Sequence, residues 1–126
     1  MSYLIDTHIL LWWFENSSKI TKQVKKIIEN PDHQIFVSSV SVWEIVIKCS
    51  LKKLEAPDNL IEMIHNHSFD ELPVRFQHAK SLEKLPKHHN DPFDRLLIAQ
   101  CLAENLTFIS ADSQIKKYKN IDLIQI

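Results

Sequence analysis

The 126-residue chain contains no glycine. A P-loop and a dinucleotide-binding fingerprint both need glycine so that backbone can approach a phosphate closely, and both are excluded. Cysteine is scarce too. Cys49 and Cys101 lie in apolar, helical contexts with no Cys-x-x-Cys pair, so they read as reduced core residues rather than a disulfide or a zinc site. Neither sign of charge dominates: 15 Lys and Arg stand against 16 Asp and Glu, a net −1, which is not the strongly basic balance of a nucleic-acid coat protein. No apolar run approaches the roughly 20 residues of a membrane helix. Tyr3-Leu4-Ile5 follows the start with no basic n-region, so no signal peptide is expected. These absences point to a cytoplasmic protein with no membrane partner.

What is present is an ordinary globular composition, 44% hydrophobic and 25% charged, which predicts one domain over residues 1–126 with a sizeable core. Tyr3-Leu4-Ile5, Ile35-Phe36-Val37 and Leu106-Thr107-Phe108-Ile109 read as buried strands, with shorter ones around Glu71-Leu72 and over 121–126. Helical spacing covers 9–14, 20–30, 40–54, 75–85 and 93–104, and Asp58 opens a further helix through Leu60, Ile61 and Ile64. In the 40–54 helix the apolar side is expected to carry Trp43, Val46, Ile47, Leu51 and Leu54. Lysine clusters such as Lys22/Lys25/Lys26 and Lys116/Lys117/Lys119 read as solvated faces. Strands alternating with helices predict an α/β domain with a mainly parallel sheet.

That topology has a consequence for the acids. In a parallel sheet with crossover helices, strand C-termini and helix N-termini meet at one edge, where such folds bind ligands. Asp6 ends the first strand, Glu44 lies early in the helix after the second, Asp94 starts the helix before the 106–109 strand, and Asp112 follows that strand. Each has a local explanation. Asp6 and Asp112 can cap the helices they precede, and Ser41-x-x-Glu44 fits a capping box, with Lys48 four residues on as an ion-pair partner. Asp91 is a good N-cap ahead of Pro92 at the first helical position, and Asp94 falls where a carboxylate can reach back to it. The joint placement of Asp6, Glu44, Asp94 and Asp112 is what those separate roles do not explain. Crowded carboxylates raise one another's pKa unless a cation joins them, and an all-oxygen set suits Mg²⁺ or Mn²⁺, an ion that serves phosphodiester hydrolysis. His88 and His89 stand within reach of a phosphate or the leaving oxygen but are expected in a solvated loop, His65 and His67 lack partners at metal spacing, and His8 is a weak outer contact.

Four stretches carry a resemblance to a known family: Tyr3-Leu4-Ile5-Asp6-Thr7-His8-Ile9-Leu10-Leu11-Trp12; Ser38-Ser39-Val40-Ser41-Val42-Trp43-Glu44-Ile45; His89-Asn90-Asp91-Pro92-Phe93-Asp94-Arg95-Leu96-Leu97-Ile98-Ala99-Gln100; and Phe108-Ile109-Ser110-Ala111-Asp112. In order and across the whole length, the chain resembles PIN domains, and among them the VapC-type toxin ribonucleases of bacterial toxin–antitoxin pairs. The Asp-Pro-Phe-Asp-Arg segment is the most specific part. The resemblance implies a three-layer α/β/α sandwich, Mg²⁺-dependent endoribonuclease activity with Mn²⁺ as a substitute, RNA as substrate, a homodimer, and a cognate antitoxin whose C-terminal segment blocks the site. It implies Asp6, Glu44, Asp94 and Asp112 as catalytic metal ligands, with Asp91, Thr7, Ser110 and Arg95 as accessory residues. Relatives often carry Gly-Lys-Leu where this chain has Lys52-Lys53-Leu54, a departure at a helix end.

Other readings compete. A receiver-type signalling domain needs an acidic pair after the first strand and a late lysine, and an aspartyl phosphatase needs Asp-x-Asp where this chain has Asp6-Thr7-His8. Neither pattern is present. A PIN fold without catalysis, acting as a binding module, and a structure-selective DNA nuclease both stay open, because the metal chemistry does not require a 2′-hydroxyl.

Overall fold

The computed structural model describes all residues from Met1 to Ile126. Five short strands, β1 (Ser2–Ile5), β2 (Gln34–Ser38), β3 (Asp70–Leu72), β4 (Thr107–Ser110) and β5 (Leu123–Gln125), form one sheet in the order β3-β2-β1-β4-β5. Every pairing is parallel, with Tyr3 opposite Ile35 and Thr107, and Ile5 opposite Val37 and Ile109. The helices are α1 (Thr7–Phe14), α2 (Lys22–Glu29), α3 (Ser39–Ser50), α4 (Leu60–Asn66), α5 (Phe76–Ser81) and α6 (Pro92–Glu104), with 3-10 turns over Leu82–Lys84 and Ser113–Lys117. This is the α/β/α sandwich expected of the sequence, with a sheet that is wholly parallel.

The strand residues alternate between two cores, as side chains of period two must. Tyr3, Ile5, Ile35, Val37 and Ile109 face a core completed by Ile9 and Leu10 of α1, Val24 of α2 and Leu60 and Ile64 of α4. Leu4 and Phe108 face the opposite core, filled by Leu97, Ile98 and Cys101 of α6 with Ile115 and Tyr118. β1 is covered on both faces and paired on both edges. It is the rigid axis from which Asp6 emerges.

The structure corrects the expected packing of α3. The helix starts at Ser39 on a Ser38 cap and ends at Ser50, and it buries Val40, Ser41, Glu44 and Ile45. Trp43 is 58% exposed, and Val46 and Leu51 are exposed with it. Apolar residues lie on more than one side of this helix, so periodicity alone does not choose the inward face. The Ser38 hydroxyl helps to choose it: its oxygen accepts from the Val40 amide and its proton goes to Gln100 Oε1, 2.6 Å away. The Gln100 amide in turn donates to the Pro73 carbonyl at 3.3 Å. One fully buried amide thus ties the exits of β2 and β3 to α6.

Two other elements are shorter than their spacing suggests. α4 begins at Leu60 after an Asn59 cap with no side-chain bond, so Asp58 does not open it, and α5 gives way after Ser81 to a 3-10 turn. With no glycine available, left-handed positions fall to Asn16, Asn105 and Asn120, the residue type that tolerates them best, and to Lys52 and Ser68. Lys52, at φ 58°, ends α3 in the left-handed region that glycine enters most readily. Its amide bonds the Cys49 carbonyl and the Lys53 amide bonds that of Lys48, the paired closure of a Schellman motif. A lysine there costs about 1 kcal/mol more than glycine, and the helix end forms regardless.

Candidate metal centre

Asp6, Thr7, Glu44, Asp91, Asp94 and Asp112 line one cavity of about 350 Å³ at the C-terminal edge of the sheet, together with His8, Trp12, Lys48 and Ala111. Three of the acids do act as caps. Asp6 accepts from the Ile9 amide at 3.0 Å, Asp91 from the Phe93 and Asp94 amides at 2.9 and 3.2 Å, and Asp112 from the Gln114 amide at 2.9 Å. For Asp6, Asp91 and Asp112 the recorded cap uses Oδ1. Capping and clustering are compatible, because each strand-to-helix junction delivers a capped carboxylate to the same edge.

Ser110, the last residue of β4, donates its hydroxyl to Asp6 Oδ2 and accepts from the Asp112 amide at 3.0 Å. One serine therefore holds Asp6 and Asp112 in fixed relation. Asp6 is buried, and that burial raises its carboxyl above the ordinary range despite the bonds from Ser110 and Ile9. Asp94 makes no return bond to its cap and projects into the cluster. Burial, the charge of Asp91, hydrogen bonding to Asp112 and the charges of Asp6 and Asp112 together push its carboxyl up to about 9.

Glu44 is placed differently from its sequence reading. It lies in the second turn of α3, 3% exposed, and closes no capping box with Ser41. Thr7 donates to its Oε1 at 2.6 Å, and the Lys48 ammonium is bonded to its Oε2. Both oxygens are thereby committed, so Glu44 reaches a bound ion through exchange of a partner or through water. Partial burial works against the Lys48 charge. The hydrogen bond and charge of Glu44, with Asp91 and Asp94, outweigh it and hold the ammonium above its usual value.

Arg95 does not enter the cavity. Its guanidinium clasps the Leu85 and Pro86 carbonyls, at 3.1 and 2.7 Å, and donates to the Tyr118 hydroxyl at 3.2 Å. His89, expected in a solvated loop, is instead drawn in beside the acids. Its side chain is 11% exposed, and Nε2 stands 3.6 Å from Asp94 Oδ2 and 3.8 Å from Asp112 Oδ2. Nothing in a histidine two residues before a helix cap signals this; the Arg95 clasp and Tyr118, 29 residues on, bring it in. Ligand atoms of His89, Asp94 and Asp112 all lie within 4.8 Å of one another.

The donor set fits a hard divalent ion. Carboxylates crowded enough to hold a proton to about pH 9 would give it up to a cation that supplies the missing charge. Asp94 and the Oδ2 atoms of Asp91 and Asp112 accept no bond from an amide or hydroxyl. Both oxygens of Asp6, like both of Glu44, are engaged and would have to share or exchange a partner to meet an ion.

By fold, the chain is similar over its whole length to chains of toxin–antitoxin complexes. It matches one from VapBC2 of Rickettsia felis, a complex bound to a fragment of its promoter DNA, at TM-score 0.75 and 15% identity, covering 100% of this chain and 99% of that one. VapBC-1 of nontypeable Haemophilus influenzae gives 0.68 and 18%, covering 99% and 98%. VapBC-5 of Mycobacterium tuberculosis, a member of the VapBC family of toxin–antitoxin systems, gives 0.62 and 14%, also covering 99% and 98%. No curated protein matches the sequence. The family model for the PIN domain matches residues 3–121, the span that carries all four acids. This chain belongs to the PIN-domain family.

Proposed function

We propose that the protein is a VapC-type endoribonuclease, the toxin of a toxin–antitoxin pair, which hydrolyses RNA phosphodiesters with Mg²⁺ or Mn²⁺. The observation that carries the reading is the convergence of Asp6, Glu44, Asp94 and Asp112 on one open cavity at the sheet edge, where burial and the neighbouring acids push the Asp94 carboxyl up. Such crowding costs the metal-free fold stability, and a bound cation relieves it. Asp6, Asp94 and Asp112 would hold the ion, with Glu44 completing the set directly or through water. When bound, it supplies a water of lowered pKa and neutralises charge building on the phosphate.

The chain's own residues do the rest. Ser110 and the Ile9 amide fix Asp6, and Thr7 and Lys48 fix Glu44, so the acids need little rearrangement as the substrate arrives. Lys48 leaves a cation on the cavity wall, where a phosphate oxygen of the substrate can meet it. Attack by water forms a bond to phosphorus, the P–O3′ bond breaks, and the 3′ oxygen takes a proton. The products are a 5′-phosphate and a 3′-hydroxyl.

Partners follow from the same reading. The exposed apolar side of α3, with Trp43, Val46 and Leu51, is the kind of surface a second copy or an antitoxin covers. No helix is long and apolar enough to cross a membrane, which agrees with action on RNA in the cytoplasm.

The test is to map the ends produced when the protein meets total bacterial RNA with Mn²⁺ or with chelator. Metal-dependent cuts bearing 5′-phosphates are expected. A 2′,3′-cyclic phosphate would contradict the mechanism, since it makes the ribose hydroxyl the nucleophile. Cleavage of DNA and not RNA would move the protein to the DNA-nuclease reading, and metal binding with no cleavage of either would leave a binding module.

A further inference from the structure

We propose that His89 is a nitrogen ligand of this cation site, and that it biases the site toward first-row transition ions over Mg²⁺. The inference rests on the divalent-ion reading of the four acids and adds a donor of a different chemical kind. Its first support is an orphaned atom: His89 Nε2 is buried and has no hydrogen-bond partner. A buried polar nitrogen left so is costly unless something unseen satisfies it. The carboxylate oxygens beside it, on Asp94 and Asp112, stand at 3.6 and 3.8 Å, too far for good hydrogen bonds.

Those separations suit another purpose. Two ligands, each about 2.1 Å from one ion, stand roughly 3–4 Å apart. An N–H on Nε2 facing two carboxylates would draw into bonding range; a lone pair would not.

The second support is the other ring nitrogen. Nδ1 lies 2.8 Å from the Tyr118 hydroxyl, and Arg95 donates to that same oxygen. In the ligating tautomer Nδ1–H donates to that oxygen, as the second nitrogen of a metal-bound histidine donates to its partner, which fixes the ring plane and leaves Nε2 its lone pair. Tyr118 is buried in the core beside α6, and Arg95 pins the loop backbone at Leu85 and Pro86. The ring is therefore delivered by anchored elements, although it comes from a loop.

The consequence is selectivity. Oxygen-only sites favour Mg²⁺, while imidazole suits the later first-row ions. The test is pulsed EPR of Mn²⁺ bound to the purified protein, reading ¹⁴N modulation from a coordinated imidazole. Wild type and His8→Gln should both show it, His8 being the histidine that lines the cavity itself. His89→Gln should lose it while still binding Mn²⁺, and should lose about tenfold or more of its Co²⁺ affinity with much less change for Mg²⁺. Tyr118→Phe should shift Co²⁺ affinity the same way by a smaller factor. Mn²⁺ bound without nitrogen coupling, or coupling that survives His89→Gln, overturns the proposal and leaves the nuclease reading intact. No Mn²⁺ bound by wild type overturns both.

Discussion

Asp94→Asn should raise the melting temperature of the metal-free protein by several degrees at pH 7, while abolishing both the stabilisation by Mn²⁺ and RNA cleavage. The first effect follows from the crowding. An Asp in the unfolded chain titrates near 4, whereas folded Asp94 keeps its proton to about 9. Between those values the folded state binds a proton that the unfolded state has released. The slope of stability against pH is therefore negative across the window. Metal-free wild type should lose stability as pH rises from about 4 toward 9, and Asn, which does not ionise, should flatten that loss. Discounting for the part of the cluster that water reaches, the gain is about 1–3 kcal/mol, or several degrees for a domain of this length. Removing a ligand should also lower cleavage by on the order of 10³-fold. Opposite signs for stability and activity mark a residue kept for chemistry. Thermal melts with and without Mn²⁺ at three pH values check all of it, and a variant less stable than metal-free wild type would count against the account.

Lys48→Met should act in the reverse sense, lowering stability and tightening Mn²⁺ binding. Glu44 is buried with one oxygen on Thr7 and the other on the Lys48 ammonium. Truncating the ammonium leaves a buried carboxylate half unpaired. The Lys48 side chain is 32% exposed, so water can replace part of the bond, and the cost is about 1–3 kcal/mol rather than the full penalty of a wholly buried pair. The same change removes a positive charge from the cavity wall and frees Glu44 Oε2. The negative potential at the acids grows, and Mn²⁺ should bind several-fold tighter by calorimetry. Weaker Mn²⁺ binding would show that Lys48 orders the site more than it opposes the ion.

These two residues also show where the sequence was legible. Strand ends and helix starts carry strong local signals: Pro92 after Asp91, and Asp6 after an apolar triplet. The four acids could therefore be placed on one edge by topology alone. The Glu44–Lys48 pair was visible as i,i+4 spacing, but its depth was not. α3 is apolar around most of its circumference, and the Ser38–Gln100 bond that helps to choose the inward face forms across 62 residues. His89 was illegible for a similar reason. Its position depends on Arg95 clasping a loop and on Tyr118 arriving from beyond β4, neither of which leaves a periodic trace. The resemblance implies Arg95 as an accessory residue of the site. The structure gives it backbone carbonyls instead, and through Tyr118 a hold on His89.

The central claim is that these acids are gathered for a cation and are more than a set of helix caps. The most direct measurement is anomalous diffraction at the manganese edge from crystals soaked in Mn²⁺. The account predicts density among Asp6, Asp94 and Asp112, on the side facing His89. A cavity without a peak at millimolar Mn²⁺, with the acids unmoved, would mean that the caps are their whole purpose.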